Sequence, residues 1–217
     1  VNGSAVNEAV SEWTKQDKIS PALHLTLTEG KSITSKKQIK NLVDRDGKLN
    51  CSFLKLLLAS FLPKRLPYRK KLACELRREL IAQINLYKKL LKTNKIALDG
   101  HQHIHLIPIV LDIIIEIKKQ ENIKWIRTVS EPLPTNLPFQ FWNTILYNGG
   151  FLKWIILQIL TNIAKPRILK AGIRTNVAFA GILFTGRMGK ENLLSAFKEL
   201  RLISKKHNQT QPIILFH

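Results

Sequence analysis

Apolar and polar residues alternate strictly between positions 22 and 28, with leucine at 23, 25 and 27 and His24, Thr26 and Thr28 between them. A period of two residues is typical of a β-strand that buries one face. The sequence therefore predicts a strand here, a turn at 29–31 and a polar loop to about Asn50.

A helical period replaces this alternation in the next two apolar segments. Leu49 to Leu62 is predicted to be a helix that ends before Pro63. From Pro67 to Leu91 the apolar positions recur every three or four residues, which indicates an amphipathic helix. Proline in the first turn and lysines in the last turn suit the two ends of such a helix.

Strands and helices continue to alternate along the rest of the chain. Further strands are predicted at Ile96–Leu98, Ile123–Thr128, Val177–Phe184 and Ile213–Phe216, and further helices at Ile109–Gln120 and Lys190–Lys206. This order predicts an α/β fold with mainly parallel strands. A length of 217 residues favours one domain over 1–217.

Phe151 to Ala164 stands out as an apolar segment, but it is too short and too interrupted to span a bilayer, which takes ~20 apolar residues. We expect a buried helix or a lid. The alternative is a helix lying on a membrane surface, where the basic residues of 151–170 would support peripheral contact.

Charge adds a second class of function to consider, because 35 Lys and Arg against 15 Asp and Glu give a formal net charge of +20. Such a chain attracts phosphate backbones or anionic lipids, so one hypothesis is a basic membrane-surface or nucleic-acid-binding module without catalysis. The cations are spread over many segments and form no stripe with interleaved aromatic residues. This favours a solvated basic surface, and no nucleic-acid partner is expected.

Two cysteines give no disulfide framework, which favours a reducing, cytoplasmic location, with membrane association left open. The chain begins without methionine and ends on Phe216-His217, at the tip of a predicted strand. We expect it to be a fragment of a longer protein.

The strongest chemical signal is the segment Asp99-Gly100-His101-Gln102-His103-Ile104-His105, directly after a predicted strand. Its Asp and three His residues share one face if the segment is extended, and crowd the mouth of the strand if the chain turns after Leu98. The carboxyl ends of strands are where α/β folds bind ligands. Imidazole is the commonest metal-binding side chain, so a metal or catalytic role is favoured over a structural one. His24 alone reads as a core histidine, but beside this cluster it becomes a candidate second metal ligand.

Several segments also resemble one enzyme family, in order and over nearly the whole chain. Residues 22–30 resemble the motif GLHLxLTEG, residues 98–108 the motif DxHxHxHxxP, and residues 126–132 the motif VRxxxEP of YdjC/ChbG/HpnK-type carbohydrate deacetylases. The segments 171–176 and 181–188 and the terminal Phe216-His217 are similar to later parts of that family.

The resemblance implies a distorted (β/α) TIM-like barrel, here incomplete at both ends, that removes N-acetyl groups from amino sugars or chitooligosaccharides, with lipid-linked sugars also open. It implies that His24 and His101 bind a divalent metal, for which the resemblance favours Mg and the ligand types also allow Zn. The catalytic candidates are His217, as an acid or polarising group, and Asp99. The supporting or substrate-binding candidates are His103, His105, Arg127 and Glu29. The family's third ligand and its general base come from an Asp-Asp-Phe-Gly motif, which this sequence lacks and which we expect upstream of Val1.

Overall fold

The computed structural model describes residues 3, 5–14, 21–133, 150–183, 190–206 and 212–215. The chain divides into two compact units, Val1–Ile126 and Arg127–His217. The assignment of 1–217 to one domain stays a prediction.

The first unit is built on a three-stranded parallel sheet in the order β1-β2-β3. Its elements are α1 (Val6–Thr14), β1 (Leu23–Leu25), α2 (Phe53–Phe61), α3 (Pro67–Leu91), β2 (Ile96–Gly100), α4 (Pro108–Ile117) and β3 (Ile123–Ile126). Leu23 pairs with Leu98 and Ile96 with Ile123. The prediction of parallel strands is therefore confirmed.

Helix α2 begins four residues later than predicted. Ser52 caps it, with a side-chain oxygen that accepts a hydrogen bond from Lys55 N at 3.2 Å. Before the cap, Leu49 N donates to Gly30 O and Cys51 N donates to Leu27 O. Those hydrogen bonds keep residues 49–51 beside the end of β1 and out of the helix.

Helix α3 has the predicted bounds, with Pro67 at its first position. Its apolar face is fully buried against the sheet and includes Leu72, Leu76 and Leu80. The chain leaves the helix through Lys92, which has a left-handed backbone (φ 49°) and donates its N–H to Lys88 O.

The second unit contains α5 (Gly150–Lys170), β4 (Phe179–Ala180), α6 (Lys190–Lys206) and β5 (Ile213–Ile214). Strands β4 and β5 pair in parallel. Apolar side chains of β4 and α6 share a core that includes Ala178, Ala180, Ala196 and Leu200. Helix α6 has the predicted bounds, and α5 continues past the predicted segment and through Pro166.

Two predicted strands are shorter than expected for reasons visible in their hydrogen bonds. The chain leaves β3 after Ile126, and Thr128 N donates to the side chain of Asn176 at 2.7 Å instead of to a strand. Strand β4 ends at Ala180, because Gly181, with a φ of 135°, bends the chain away from an extended course. The predicted end of this strand, Phe184, lies outside the described residues.

The α/β class is confirmed, and the closed, distorted barrel stays a prediction. Among the described residues, no helix combines the length and the hydropathy needed to cross a bilayer.

Candidate active site

The carboxyl ends of β1 and β2 bring His24 and Asp99 together. The two residues are register partners in neighbouring parallel strands, so their side chains project from the same face of the sheet. His24 Nδ1 lies 3.2 Å from Asp99 Oδ2, with the imidazole half-exposed and the carboxylate mostly covered.

A second histidine–carboxylate pair meets the first. His101 Nε2 lies 3.1 Å from Glu29 Oε1, and His101 Nδ1 lies 3.4 Å from His24 Nε2. The two rings meet edge to face, with centroids 5.5 Å apart and an interplanar angle of 78°. Four predicted site residues therefore form one row, Asp99–His24–His101–Glu29.

The two carboxylates determine which nitrogen of each imidazole carries the proton. An ionised carboxylate only accepts hydrogen bonds, so the ring nitrogen beside it must carry the proton. This places N–H on His24 Nδ1 and on His101 Nε2. In neutral rings, His24 Nε2 and His101 Nδ1 are then both lone-pair acceptors pointing at one another. Two lone pairs at 3.4 Å repel unless a cation, either a shared proton or a metal ion, lies between them.

The backbone of the histidine cluster turns directly after the strand that carries Asp99. The chain leaves β2 at Gly100 and turns through Gln102 and His103, whose φ angles of 50° and 60° are left-handed. The extended arrangement is therefore wrong, and the turn after the strand is observed. His103 and His105 are buried. Their proposed roles in orienting ligands or contacting substrate stay predictions.

Gly100 is required where the strand ends because His105 packs directly against it. A Cβ built on Gly100 would lie 2.4 Å from His105 Nδ1 and 3.0 Å from its Cγ. Any side chain at position 100 would displace either the imidazole or the strand end that carries Asp99. The packing of His105 against Gly100 thus helps to position the strand end that carries Asp99.

The loop that carries Glu29 is held by a polar row on α3 that the sequence analysis missed. Gln83 bonds both the N–H and the C=O of Thr26, and Thr26 Oγ1 donates to Glu29 O at 3.1 Å. Glu79 accepts from the backbone N–H groups of Ile33 and Thr34. A signal was available, because Glu75, Glu79 and Gln83 recur every four residues on the helix face that should be apolar.

Among the described residues of the second unit, Glu131 carries a buried carboxylate. Glu131 accepts hydrogen bonds from the backbone N–H groups of Gly181, Ile182 and Leu183 at 2.7–3.2 Å. Burial raises its pKa to about 7, although these N–H donors act in the opposite direction. The same carboxylate keeps the chain bent after β4.

Arg127 and His217 are the predicted site residues outside the first unit. Arg127 is buried, and its guanidinium lies 5.0 Å from the ring centroid of Phe179. This contact gives Arg127 a packing role, and its role towards substrate stays a prediction. His217 lies outside the described residues, so its role also stays a prediction.

The two histidines fit a divalent metal as part of a ligand set. A separation of 3.4 Å is close to the ~3.3 Å expected between two nitrogens bonded at ~2.0 Å to one tetrahedral ion. Each imidazole also has its second nitrogen on a carboxylate, as metal-binding histidines usually do. Across the part of the chain that the structure describes, no group of three or more His, Cys, Asp or Glu side chains is placed to hold a metal. A complete site needs at least one ligand more than this pair.

Comparison with known proteins decides the family. A family model described as YdjC-like protein matches residues 1–217, the whole chain. The chain belongs to the YdjC-like family.

Two relatives of this YdjC-like protein are named carbohydrate deacetylase. One, from Xenopus laevis, is 28% identical over 212 residues, which is 91% of this chain and 60% of the relative. The other, from Mus musculus, is 26% identical over 138 residues, or 60% of this chain and 40% of the relative. The chain therefore spans about half the length of the relatives it matches.

A crystal structure from Enterococcus faecalis, named as a candidate cellobiose-phosphate cleavage protein, is similar to the YdjC-like chain with a TM-score of 0.59. The matched region covers 96% of this chain and 63% of the Enterococcus faecalis chain, at 14% sequence identity. At that identity the similarity supports the fold, which agrees with the parallel α/β architecture.

Proposed function

We propose that this YdjC-like protein is a carbohydrate deacetylase that hydrolyses N-acetyl groups on amino sugars with a divalent metal bound by His24 and His101. The observation that carries the proposal is the row Asp99–His24–His101–Glu29, in which two imidazole acceptors face each other at 3.4 Å. The name shared by the two relatives supports the substrate class.

The proposed reaction adds water to the acetamide carbonyl and releases acetate and a free amine. A bound divalent ion would polarise that carbonyl and lower the pKa of the attacking water. His24 and His101 hold their acceptor nitrogens towards it. Asp99 and Glu29 keep the protons on the far nitrogens of the two rings, so Asp99, which was predicted to be catalytic, acts as a positioning residue. His217 is the proposed donor of the proton that the departing amine takes up.

The test is metal analysis and deacetylation of N-acetylglucosamine oligomers by the complete protein. His24→Ala and His101→Ala should each lose bound metal and activity, because each removes one imidazole ligand. Asp99→Asn and Glu29→Gln should retain metal with an affinity lowered about 10–100-fold, with the smaller effect at the more exposed Glu29. Unchanged metal content and activity in both alanine variants would refute the proposal.

Metal identity and the form of the sugar are separable in the same experiment. Reconstitution of the metal-free protein with Mg²⁺ or Zn²⁺ distinguishes the ion that the family resemblance favours from the one that imidazole ligands prefer. Free oligosaccharides and a lipid-linked N-acetylated sugar, assayed side by side, distinguish the two substrate forms.

A further inference from the structure

Helix α2 presents an apolar stripe to solvent on the side that does not face the core. Leu54, Leu58 and Phe61 lie three or four positions apart and are 61%, 58% and 77% exposed. The opposite side packs inward through Leu56 and Ala59, which are buried. Large contiguous apolar patches are unusual on a soluble surface and mark sites of interaction.

The apolar stripe continues into a shallow groove. The groove has a volume of about 400 Å³ and is lined by Leu54, Leu58, Leu62 and Tyr68, with Lys55 at its edge. The connection from α2 to α3 adds Leu66 and the first turn of α3 adds Tyr68, which are 38% and 40% exposed. We call α2, this connection and the start of α3, residues 52–71, the α2 surface.

The charge of the α2 surface has one sign. Residues 52–71 contain six Lys or Arg and no Asp or Glu. Lys64, Arg65, Lys70 and Lys71 are exposed. Lys64 reaches Asp112 on α4 at 3.4 Å, and its side chain remains 83% exposed. Exposed leucine and phenylalanine flanked by cations are the combination by which helices lie in the interface of an anionic bilayer.

Helix α2 packs against α4 and against the turn that contains His101. It belongs to the connection from β1 to α3, which begins at the carboxyl end of β1, just after His24. Ser60 on α2 accepts a hydrogen bond from Ile109 N at 3.2 Å. Ile109 is in the first turn of α4, directly after the turn that contains His101. The α2 surface therefore belongs to a helix that contacts the turn carrying His101.

We propose that the α2 surface docks this protein on anionic phospholipid bilayers, with Leu54, Leu58 and Phe61 entering the interface and Lys64 and Arg65 contacting lipid phosphates. A nucleic acid would satisfy the cations but would leave the leucine stripe in water. A second copy of this chain, which has a net charge of +20, would cover the stripe but would bring like charges together. This proposal goes beyond the deacetylase function, and its test requires no catalysis.

The experiment is co-sedimentation of the full chain with vesicles of phosphatidylcholine alone or mixed with phosphatidylglycerol. Leu54→Asn, Leu58→Asn and Phe61→Asn, combined in one variant, should lower the partition coefficient roughly a hundredfold, at about fivefold for each side chain that leaves the interface. Lys64→Gln with Arg65→Gln should lower binding about 25-fold on the anionic vesicles and leave binding to neutral vesicles unchanged. All five positions are exposed, so the changes remove no core packing and should lower Tm by at most a few degrees through the weaker helix propensity of asparagine.

Helix α5 supplies the matched control because Leu152, Ile159 and Ile163 have similar exposures of 63%, 54% and 48%. The corresponding triple asparagine variant should bind vesicles as the wild type does. The proposal is overturned if the α5 variant alone loses binding, since the membrane surface would then be 151–170. It is also overturned if the wild type binds neither vesicle, or if the α2 variant changes only the oligomeric state measured by light scattering.

Discussion

Replacing Gly100 with alanine tests whether the candidate active site depends on the packing of His105. The three heavy atoms nearest to a Cβ at this position all belong to His105, at 2.4, 3.0 and 3.1 Å. The backbone at Gly100 is extended (φ −145°, ψ 133°), so alanine meets no conformational strain there. His105 is fully buried, so its ring cannot move aside into solvent. Forcing a methyl group into such a contact costs roughly 1–3 kcal/mol, which corresponds to a fall in Tm of about 2–12 °C for a chain of this size.

A double-mutant cycle measures the contact directly. Urea unfolding should be followed for the wild type, Gly100→Ala, His105→Ala and the double variant. Because His105 provides the close contacts, the alanine methyl should cost little once the imidazole is gone, and the coupling free energy should be about 1–3 kcal/mol. If the two changes add within ~0.5 kcal/mol, the contact does not explain why glycine is needed, and our account of the strand end is wrong.

Three further predictions concern buried groups. Burial raises the pKa of Glu131 to about 7, so the folded chain binds an extra proton between pH 4.5 and 7. The free energy of unfolding should therefore fall by about 3 kcal/mol as the pH rises through that window. Glu131→Gln should remove this pH dependence in urea unfolding, and an unchanged pH dependence would contradict the prediction. Glu79→Ala should lower the free energy of unfolding by about 1–3 kcal/mol, because the backbone N–H groups of Ile33 and Thr34 lose their acceptor. As the control, Lys89→Ala on the exposed side of α3 should change the free energy of unfolding by less than ~0.5 kcal/mol. Equal effects would refute the role of the polar residues of α3. In a thiol-reagent assay, the exposed Cys74 should react in the folded protein. The buried Cys51 should react only after unfolding, because burial shields its thiol and raises the pKa of that thiol. Simultaneous reaction of both thiols would show that the core around Cys51 opens readily.

The sequence predicted the helices better than the strands. Helices α3 and α6 have the predicted bounds because their apolar periods run for several turns and their ends carry local signals such as Pro67. Strands β3 and β4 are shorter than predicted because side chains from elsewhere, those of Asn176 and Glu131, bond the backbone where the strands would have continued. A local sequence pattern does not reveal hydrogen-bond partners that are distant in the sequence.

The candidate site was predictable in its residue types but only partly in its geometry. The motif around His101 and the alternation around His24 identified the two rings that meet. The odd-numbered spacing suggested a shared face, but it did not reveal that left-handed backbone at Gln102 and His103 sends two histidines into the core. The sequence predicted helix α2 but not its exposed stripe, because an apolar segment does not reveal which of its faces lies against the core.

The parallel pairing of β1 with β2 also bears on the order in which the first unit folds. His24 and Asp99 are 75 residues apart, whereas the β2–β3 pair joins residues 27 apart across α4. Closing the longer loop costs about 1 kcal/mol more chain entropy, which favours β2, α4 and β3 as the earlier-forming part. The two imidazoles then come together only when β1 docks in the final stage. A nascent chain would thus contain His101 in a nearly native turn before the His24–His101 pair forms. A divalent ion bound by both rings, as proposed, would favour that last step over its reversal.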